Sequence, residues 1–303
     1  VGSDLWTRIY FVDEVGTVWA TADDGLMLWD PPSGRVDTLS RSDGLLDELV
    51  YEIVRAPDGL LWLATYGGAN TWDGERLGAG LTRDLGLLDK TTWDLWVQSD
   101  GTIWMDTNEG YVLTAFDGTG FRHFSDASTA ERLGIEAVFP ARTQFNSAMT
   151  ETPDGTLWFG SNGNGLFAYD GVEWRRYTQD DGLPSDSVDD LAATPDGRLW
   201  ISAIGGLTYF DGTAFTLVDP AVMGDWSGEY PDDLVVDHDG ALWVMTMSSL
   251  FRYVDGDWEM RTQVDGLTIR VIYSLVVGED GSVWISTADG VARYGLPLPL
   301  PAP

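Results

Sequence analysis

The sequence predicts an all-β fold: a seven-bladed β-propeller built from four-stranded antiparallel blades. Three observations carry this reading. A Trp recurs seven times at near-constant spacing, an Asp-Gly pair precedes almost every one, and in most repeats a second Asp-Gly follows about a dozen residues later. Helical periodicity is nearly absent, so the repeating unit is built from strands.

The anchors are Trp19, Trp62, Trp104, Trp158, Trp200, Trp243 and Trp284, at intervals of 43, 42, 54, 42, 43 and 41 residues. Asp58-Gly59, Asp100-Gly101, Asp154-Gly155, Asp196-Gly197, Asp239-Gly240 and Asp280-Gly281 stand before six of them, and Val15-Gly16 before the first. Asp-Gly between apolar runs signals a hairpin, with a type I′ turn as the expectation because that turn needs positive φ. The second turns are Asp73-Gly74, Asp117-Gly118, Asp170-Gly171, Asp211-Gly212 and Asp255-Gly256. Two hairpins per repeat make a four-stranded meander. Runs such as Leu199-Trp200-Ile201 are apolar on both faces, so each sheet is covered on both sides. Sheets of that kind stacked around an axis are propeller blades.

The most regular copy runs from Asp181 to Gly212. Its Gly182-Leu183-Pro184-Ser185-Asp186-Ser187-Val188, then Pro195-Asp196-Gly197-Arg198-Leu199-Trp200, then Gly205-Gly206-Leu207-Thr208-Tyr209-Phe210-Asp211-Gly212 resemble the two-component regulator propeller repeat. Weaker copies include Asp43-Gly44-Leu45 leading to Trp62 and Asp265-Gly266-Leu267 leading to Trp284. The resemblance covers essentially residues 1–295, taken here as one propeller domain. It implies an extracytoplasmic (periplasmic or extracellular) sensing part of a membrane-bound signalling protein, a family that often recognises carbohydrate or other small ligands. Residues 296–303, Leu-Pro-Leu-Pro-Leu-Pro-Ala-Pro, read either as the outer strand of the last blade, with Pro on the free edge, or as a polyproline linker.

Composition narrows the partners. The formal charge is −32, with Lys90 the single lysine among 17 basic residues. Such a surface repels nucleic acid and anionic lipid at long range, so neither is expected as a partner. Turn chemistry accounts for much of the Asp, since the chain holds sixteen Asp-Gly dipeptides. With Cys absent there are no disulfides, thiolate metal sites or thiol catalysis. The longest apolar runs fall short of the roughly 18 residues a membrane span requires.

The strand order also decides where a site belongs. Both turns of a blade lie at one end. The connections between blades, and the Gly-rich corners after each Trp strand, lie at the other. The turn end is repetitive and explained by folding, whereas the connection end varies, which suits function. Counting back seven from each first turn gives Arg8, Tyr51, Trp93, Ser147, Asp189, Asp232 and Tyr273 near the channel mouth. Counting four forward from each Trp gives Asp23, Tyr66, Asn108, Asn162, Ile204, Met247 and Ala288. Aromatics that stack, with Asp, Asn and Arg that hydrogen-bond, suit a polar small molecule or a carbohydrate. The expected ligand-binding set is Arg8, Tyr51, Tyr66, Trp93, Asn108, Asn162, Asp189, Trp226, Tyr230, Asp232 and Tyr273.

Two connections are longer than the rest. Between Phe124 and Asn146 the capping-box spacing Ser128 to Glu131 predicts a short helix. The stretch from Asp219 to Asp233 carries Met223, Trp226 and Tyr230. No cofactor is expected. Asp189 and Asp232, at equivalent places in adjacent blades, are a weak signal for Ca²⁺ or for an acid/base pair. The only histidines, His123 and His238, have no nucleophile motif beside them. The leading expectation is therefore a non-catalytic sensory propeller, with other domains of a larger signalling chain as potential partners. A propeller lyase or hydrolase with metal and carboxylates at the channel mouth is the alternative, and a protein-interaction scaffold the second.

Overall fold

The structure is a computed structural model of the 303-residue chain. It describes residues 8–22, 24–107, 111–140, 143–223, 230–261, 263–264, 267–268, 271–287 and 290–294. Among the described residues seven blade sheets follow one another, with one further two-stranded pair. Blade 1 holds β1 (Ile9–Val12), β2 (Val18–Ala22), β3 (Gly25–Asp30) and β4 (Arg35–Leu39). Blade 2 holds β5 (Val50–Arg55), β6 (Leu61–Thr65) and β7 (Gly68–Trp72). Blade 3 holds β8 (Thr92–Val97), β9 (Ile103–Thr107), β10 (Val112–Phe116), β11 (Phe121–Asp126) and, after helix α1 (Ala127–Leu133), β12 (Glu136–Phe139).

Blade 4 holds β13 (Phe145–Glu151), β14 (Leu157–Ser161), β15 (Leu166–Tyr169) and β16 (Trp174–Tyr177). Blade 5 holds β17 (Val188–Ala193), β18 (Leu199–Ala203), β19 (Gly206–Phe210) and β20 (Phe215–Leu217). Helix α2 (Pro220–Met223) leads to blade 6, with β21 (Asp233–Val236), β22 (Leu242–Met245), β23 (Leu250–Val254) and β24 (Asp257–Arg261). A short pair, β25 (Gln263–Val264) and β26 (Leu267–Thr268), precedes blade 7: β27 (Ile272–Val277), β28 (Val283–Thr287) and β29 (Gly290–Tyr294). The chain is a seven-bladed β-propeller of mainly four-stranded antiparallel blades, as the Trp and Asp-Gly spacing predicts.

Three blades depart from four strands. In blade 2 the outer segment makes only the isolated bridges Trp72↔Leu77 and Ala69↔Leu81. Its Gly78-Ala79-Gly80 run has little to pack on a sheet, and a Cβ on Gly80 would stand 2.7 Å from the Ala69 carbonyl oxygen. Blade 3 gains a fifth strand, because β12 pairs in parallel with β11 after the chain crosses back through α1. The helix forms where capping spacing predicts one, but its cap lies earlier. The Asp126 carboxylate accepts from Ser128 N at 2.8 Å and Thr129 N at 3.2 Å. In blade 7 three strands are described; the tail at 296–303 lies outside the described residues.

The first hairpins are not type I′ turns. Among the described residues only Asp255 combines a side chain with positive φ, at 51°. In blade 2, Gly59 N donates to Ala56 O and Ala56 N to Leu60 O, each at 2.9 Å. This is a three-residue loop ended by a left-handed glycine, the arrangement of a type I turn with a G1 bulge. The Asp before the glycine fixes the turn with its side chain instead, as Asp58 does by accepting from Leu60 N at 3.0 Å. The Asp43-Gly44-Leu45 and Asp181-Gly182-Leu183 connections each form a single 3-10 turn. Ser40 and Thr178 are boxed by the carboxylates of Asp43 and Asp181. Gly44 (φ 106°) and Gly182 (φ 107°) then reverse the chain, and Leu45 and Leu183 enter the core at 3% and 4% exposure.

The chain divides into two compact units, one of residues 1–22, 27–37 and 219–303, the other of 23–26 and 38–218. In the second unit the anchor Trp of blades 2, 3 and 4 packs on the blade that follows it. Trp62 packs with Leu95, Ile103 and Met105, Trp104 with Phe159 and Tyr169, and Trp158 with Leu199 and Phe210. The first unit repeats this. Trp243 meets Tyr294 with ring centroids 4.9 Å apart, and Trp284 packs with Ile9, Val12 and Val18. The last blade therefore closes on the first through side-chain packing, reinforced by Ile9 N donating to Ser274 Oγ at 3.1 Å.

Candidate ligand-binding site

In four blades the first strand carries a one-residue β-bulge, and the extra residue is a predicted site residue each time. Val50 pairs with Thr65 and Glu52 with Ala64, which leaves Tyr51 as the extra residue. The same shift isolates Trp93 between Thr92 and Asp94, Asp189 between Val188 and Asp190, and Tyr273 between Ile272 and Ser274. A bulge breaks the alternation of the strand and re-aims one side chain. That is why these four positions vary in chemistry while their neighbours hold the core.

The remaining first strands differ. Blade 1 bulges at Tyr10, two residues nearer its turn, and Tyr10 is buried at 8% exposure. Arg8 remains exposed, with its guanidinium carbon 5.5 Å from the Tyr10 ring centroid. In blade 6 β21 pairs without a shift, and Asp232 N donates to Met245 O at 2.8 Å. The blade 4 shift spans Phe145 to Met149 and so includes Ser147.

Within the second unit the structure brings three predicted residues into one group. The rings of Tyr51 and Trp93 lie 4.8 Å apart, tilted by 38°. Tyr66 occupies the corner after β6, and Lys90 Nζ stands 4.1 Å from its ring centroid. A cation at that distance over an aromatic face is held by the ring quadrupole. Trp93 and Tyr66 are each 37% exposed, and Leu49 beside them is 58% exposed. Burial, and then the neighbouring Asp47 and Tyr66, raise the Tyr51 hydroxyl above its ordinary pKa, so it stays a neutral donor. Asp47 is itself held by Arg41. The group therefore offers two partly exposed rings, a phenol and an ammonium.

Lys90 was not among the residues expected from sequence. Its signal was its singularity, the one lysine in a chain of net charge −32. Only packing shows that it sits on Tyr66.

The other predicted residues are placed as follows. Asn162, exposed at the corner after β14, accepts from Ser187 Oγ at 3.3 Å, two residues before exposed Asp189. Ile204 and Met247, at the equivalent corners of blades 5 and 6, are 59% and 66% exposed. Arg8, Tyr230, Asp232 and Tyr273 belong to the first unit. There Tyr230 is 61% exposed, Asp232 exposed and Tyr273 half-buried. Asn108 and Trp226 lie outside the described residues, as do Asp23 and Ala288. Asp189 and Asp232 fall in different units, and among the described residues no three His, Asp or Glu side chains gather as a metal site would need.

The histidines stand apart from this group. His123 Nδ1 shares a 3.0 Å hydrogen bond with Thr114 Oγ1, its ring stacks on Phe121, and burial lowers its pKa. His238 is exposed beside a first-hairpin turn.

No protein-family model matches the chain, and no curated protein does. Solved structures do. The extracellular domain of the BT3049 hybrid two component system from B. thetaiotaomicron superimposes with a TM-score of 0.73 at 15% identity, over 97% of this chain. This chain spans 40% of that protein's length. Virginiamycin B lyase from Staphylococcus aureus matches with a TM-score of 0.71 at 14% identity, covering 97% of each chain. YCF48 bound to D1 peptide matches at 0.67 and 16%, covering 100% of this chain and 96% of that one. Such likeness establishes the propeller fold, which serves the extracellular domain of a two component system, a lyase and a peptide-bound protein alike. Among the described residues no helix is long and apolar enough to cross a membrane.

Proposed function

We propose that this chain is a non-catalytic recognition propeller. It binds a polar small molecule or carbohydrate at the connection end of its blades, and serves as the extracytoplasmic sensing part of a larger signalling protein. One observation carries the binding reading: the bulge residues Tyr51 and Trp93 form a partly exposed aromatic pair, beside Tyr66 and its Lys90 cation. Partly exposed rings stack on apolar sugar or heterocycle faces, and the Tyr51 hydroxyl and Lys90 ammonium donate to their polar edges. The group contains no nucleophile paired with a base. The likeness to the BT3049 extracellular domain supports the sensory role, and the repeat motifs around Gly182-Leu183-Pro184 support it independently.

Thermal-shift screening of the intact chain against mono- and oligosaccharides and small polar metabolites tests the reading. A ligand at 100 times its dissociation constant adds about 2.7 kcal/mol to stability. The expected result is a saturable shift for one ligand class that disappears in Trp93→Ala. A shift that persists undiminished in Trp93→Ala and Tyr51→Ala would place binding elsewhere.

A further inference from the structure

The turn end of the blades is not merely repetitive. Between blades 4 and 5, both within the second unit, lies a cleft of about 240 Å³. Its floor is apolar and buried, made by Trp158, Ala168, Leu199 and Phe210, with Trp158 and Phe210 ring centroids 5.6 Å apart. One wall carries the turn residues Asp154 and Asp170 and the face of β16 that presents Glu173, Arg175 and Tyr177. These three alternate along the chain, so they share one side of the sheet. Gly197 and Gly212 from blade 5 also line the cleft, and open space of 4 Å stands where either would carry a Cβ.

The charged groups divide into two kinds. Asp154 and Asp170 are occupied by their own turns. Asp154 accepts from Thr152 Oγ1 at 2.7 Å and Thr156 N at 3.1 Å, and Asp170 from Val172 N at 2.9 Å and Glu173 N at 2.8 Å. The Glu173 carboxylate and the Arg175 guanidinium make no side-chain hydrogen bond or ion pair within contact distance among the described residues, and the Arg175 charge acts on Asp170 only through space, although both side chains are exposed in the same cleft.

We propose that this cleft is a second binding site, for a small zwitterion of the α-amino-acid type with an apolar side chain. Arg175 takes the carboxylate through its planar fork of donors, Glu173 takes the ammonium, and Trp158, Tyr177 and Phe210 receive the side chain. Charge disfavours a lone anion, and a lone cation would leave the Arg175 donors unused. The anion would face Asp154, Asp170 and Glu173, whereas a zwitterion uses both Glu173 and Arg175. The volume lies below the ~300–1,000 Å³ of pockets for drug-sized ligands, which suits a molecule of amino-acid size. The site is separate from the Tyr51–Trp93 group and does not depend on it.

Ligand-observed NMR and calorimetry on the intact chain test this with L-leucine, L-phenylalanine and their N-acetylated and carboxamide derivatives. The expected result is binding of one of the two free amino acids with a dissociation constant near or below about 1 mM. Blocking either terminus weakens it at least about tenfold, and Arg175→Gln and Glu173→Gln each do the same, because each removes one charge-assisted contact. Both residues are exposed, so melting temperatures of the variants confirm that folding is intact. Trp93→Ala leaves this binding unchanged. Absence of binding by both amino acids at about ten times that concentration overturns the proposal, as does equal binding of the blocked derivatives or undiminished binding by Arg175→Gln.

Discussion

The indole Nε1 of Trp200 donates to the Thr194 hydroxyl at 3.1 Å, six residues earlier in the chain. The same span recurs as Trp158 to Thr152 at 3.0 Å, Trp104 to Gln98 at 3.1 Å and Trp243 to Asp237 at 2.8 Å. The six-residue span reaches across the first-hairpin loop, so the bond fixes that loop against the next strand. In these four blades the chemistry of the acceptor varies, but an acceptor is present. A buried indole N–H demands one.

Thr194→Val removes that acceptor while keeping shape, and Trp200 is only 1% exposed. The expected loss is about 1–3 kcal/mol, the cost of leaving a buried donor unmet. Denaturant unfolding measures it, and Thr194→Ser should recover most of the loss. A Val variant as stable as wild type would show that the hydroxyl does not matter.

Leu183 seals the connection between blades 4 and 5 at 4% exposure. Leu183→Ala should cost about 2–5 kcal/mol through lost burial and the cavity left behind. Its melting midpoint, compared with that of an exposed control such as Leu217→Ala (55% exposed), separates core plugging from generic apolar loss.

Removing the cap of α1 tests whether the five-stranded blade depends on it. Asp126→Ala should destabilise by about 0.5–2 kcal/mol. Hydrogen exchange should rise in residues 127–139 and leave blade 5 protected. Uniform loss of protection across the chain would mean that the helix is not a local unit.

Acid should weaken the turns. The Asp211 pKa is lowered to about 2 by hydrogen bonds from the Thr213 hydroxyl and from the Ala214 and Thr213 amides. Asp43, Asp73, Asp117 and Asp170 are lowered for similar reasons, first the Ser40 hydroxyl, the Glu75 amide, the Thr119 hydroxyl and the Glu173 amide respectively. Depressed folded-state values stabilise the fold above the ordinary carboxylate range, and the contribution is lost as pH falls through them. The melting temperature should therefore drop between about pH 4 and pH 2, measured at high salt to screen the large net charge. Asp211→Asn should remove part of that slope. A melting temperature that is flat or rising as pH falls over this range contradicts the assignment.

Trp93→Ala separates recognition from folding. The ring is 37% exposed and packs on Tyr51, so its removal should cost about 1–3 kcal/mol and leave the chain folded, while ligand binding at the connection end is lost. Lys90→Met should reduce affinity by less, since it removes the ammonium but leaves the rings. Circular dichroism melts and titration with the ligand found by screening give both numbers.

Much of the scaffold was legible from Trp spacing and Asp-Gly pairs, because a repeat imposes the same turn and the same plug in every blade. The turn type was misread for a local reason: Asp-Gly serves a type I turn with a left-handed glycine as well as it serves type I′, and the dipeptide alone does not distinguish them. The fifth strand of blade 3 was illegible because its pairing is parallel and set by a crossover. Tyr51 and Trp93 were found as variable positions at a fixed count, yet nothing in the count revealed that a bulge holds them.

By itself the sequence determined the blade number and the antiparallel meander that most blades share, since periodicity and turn chemistry are local properties. The tertiary structure alone decided what meets what. It set the Tyr51 and Trp93 rings 4.8 Å apart, placed Lys90 on Tyr66, and opened a cleft beside Arg175 where the sequence showed only repeating turns. Those relationships join residues from different blades, and the distance between blades is fixed by packing, which no spacing along the chain encodes.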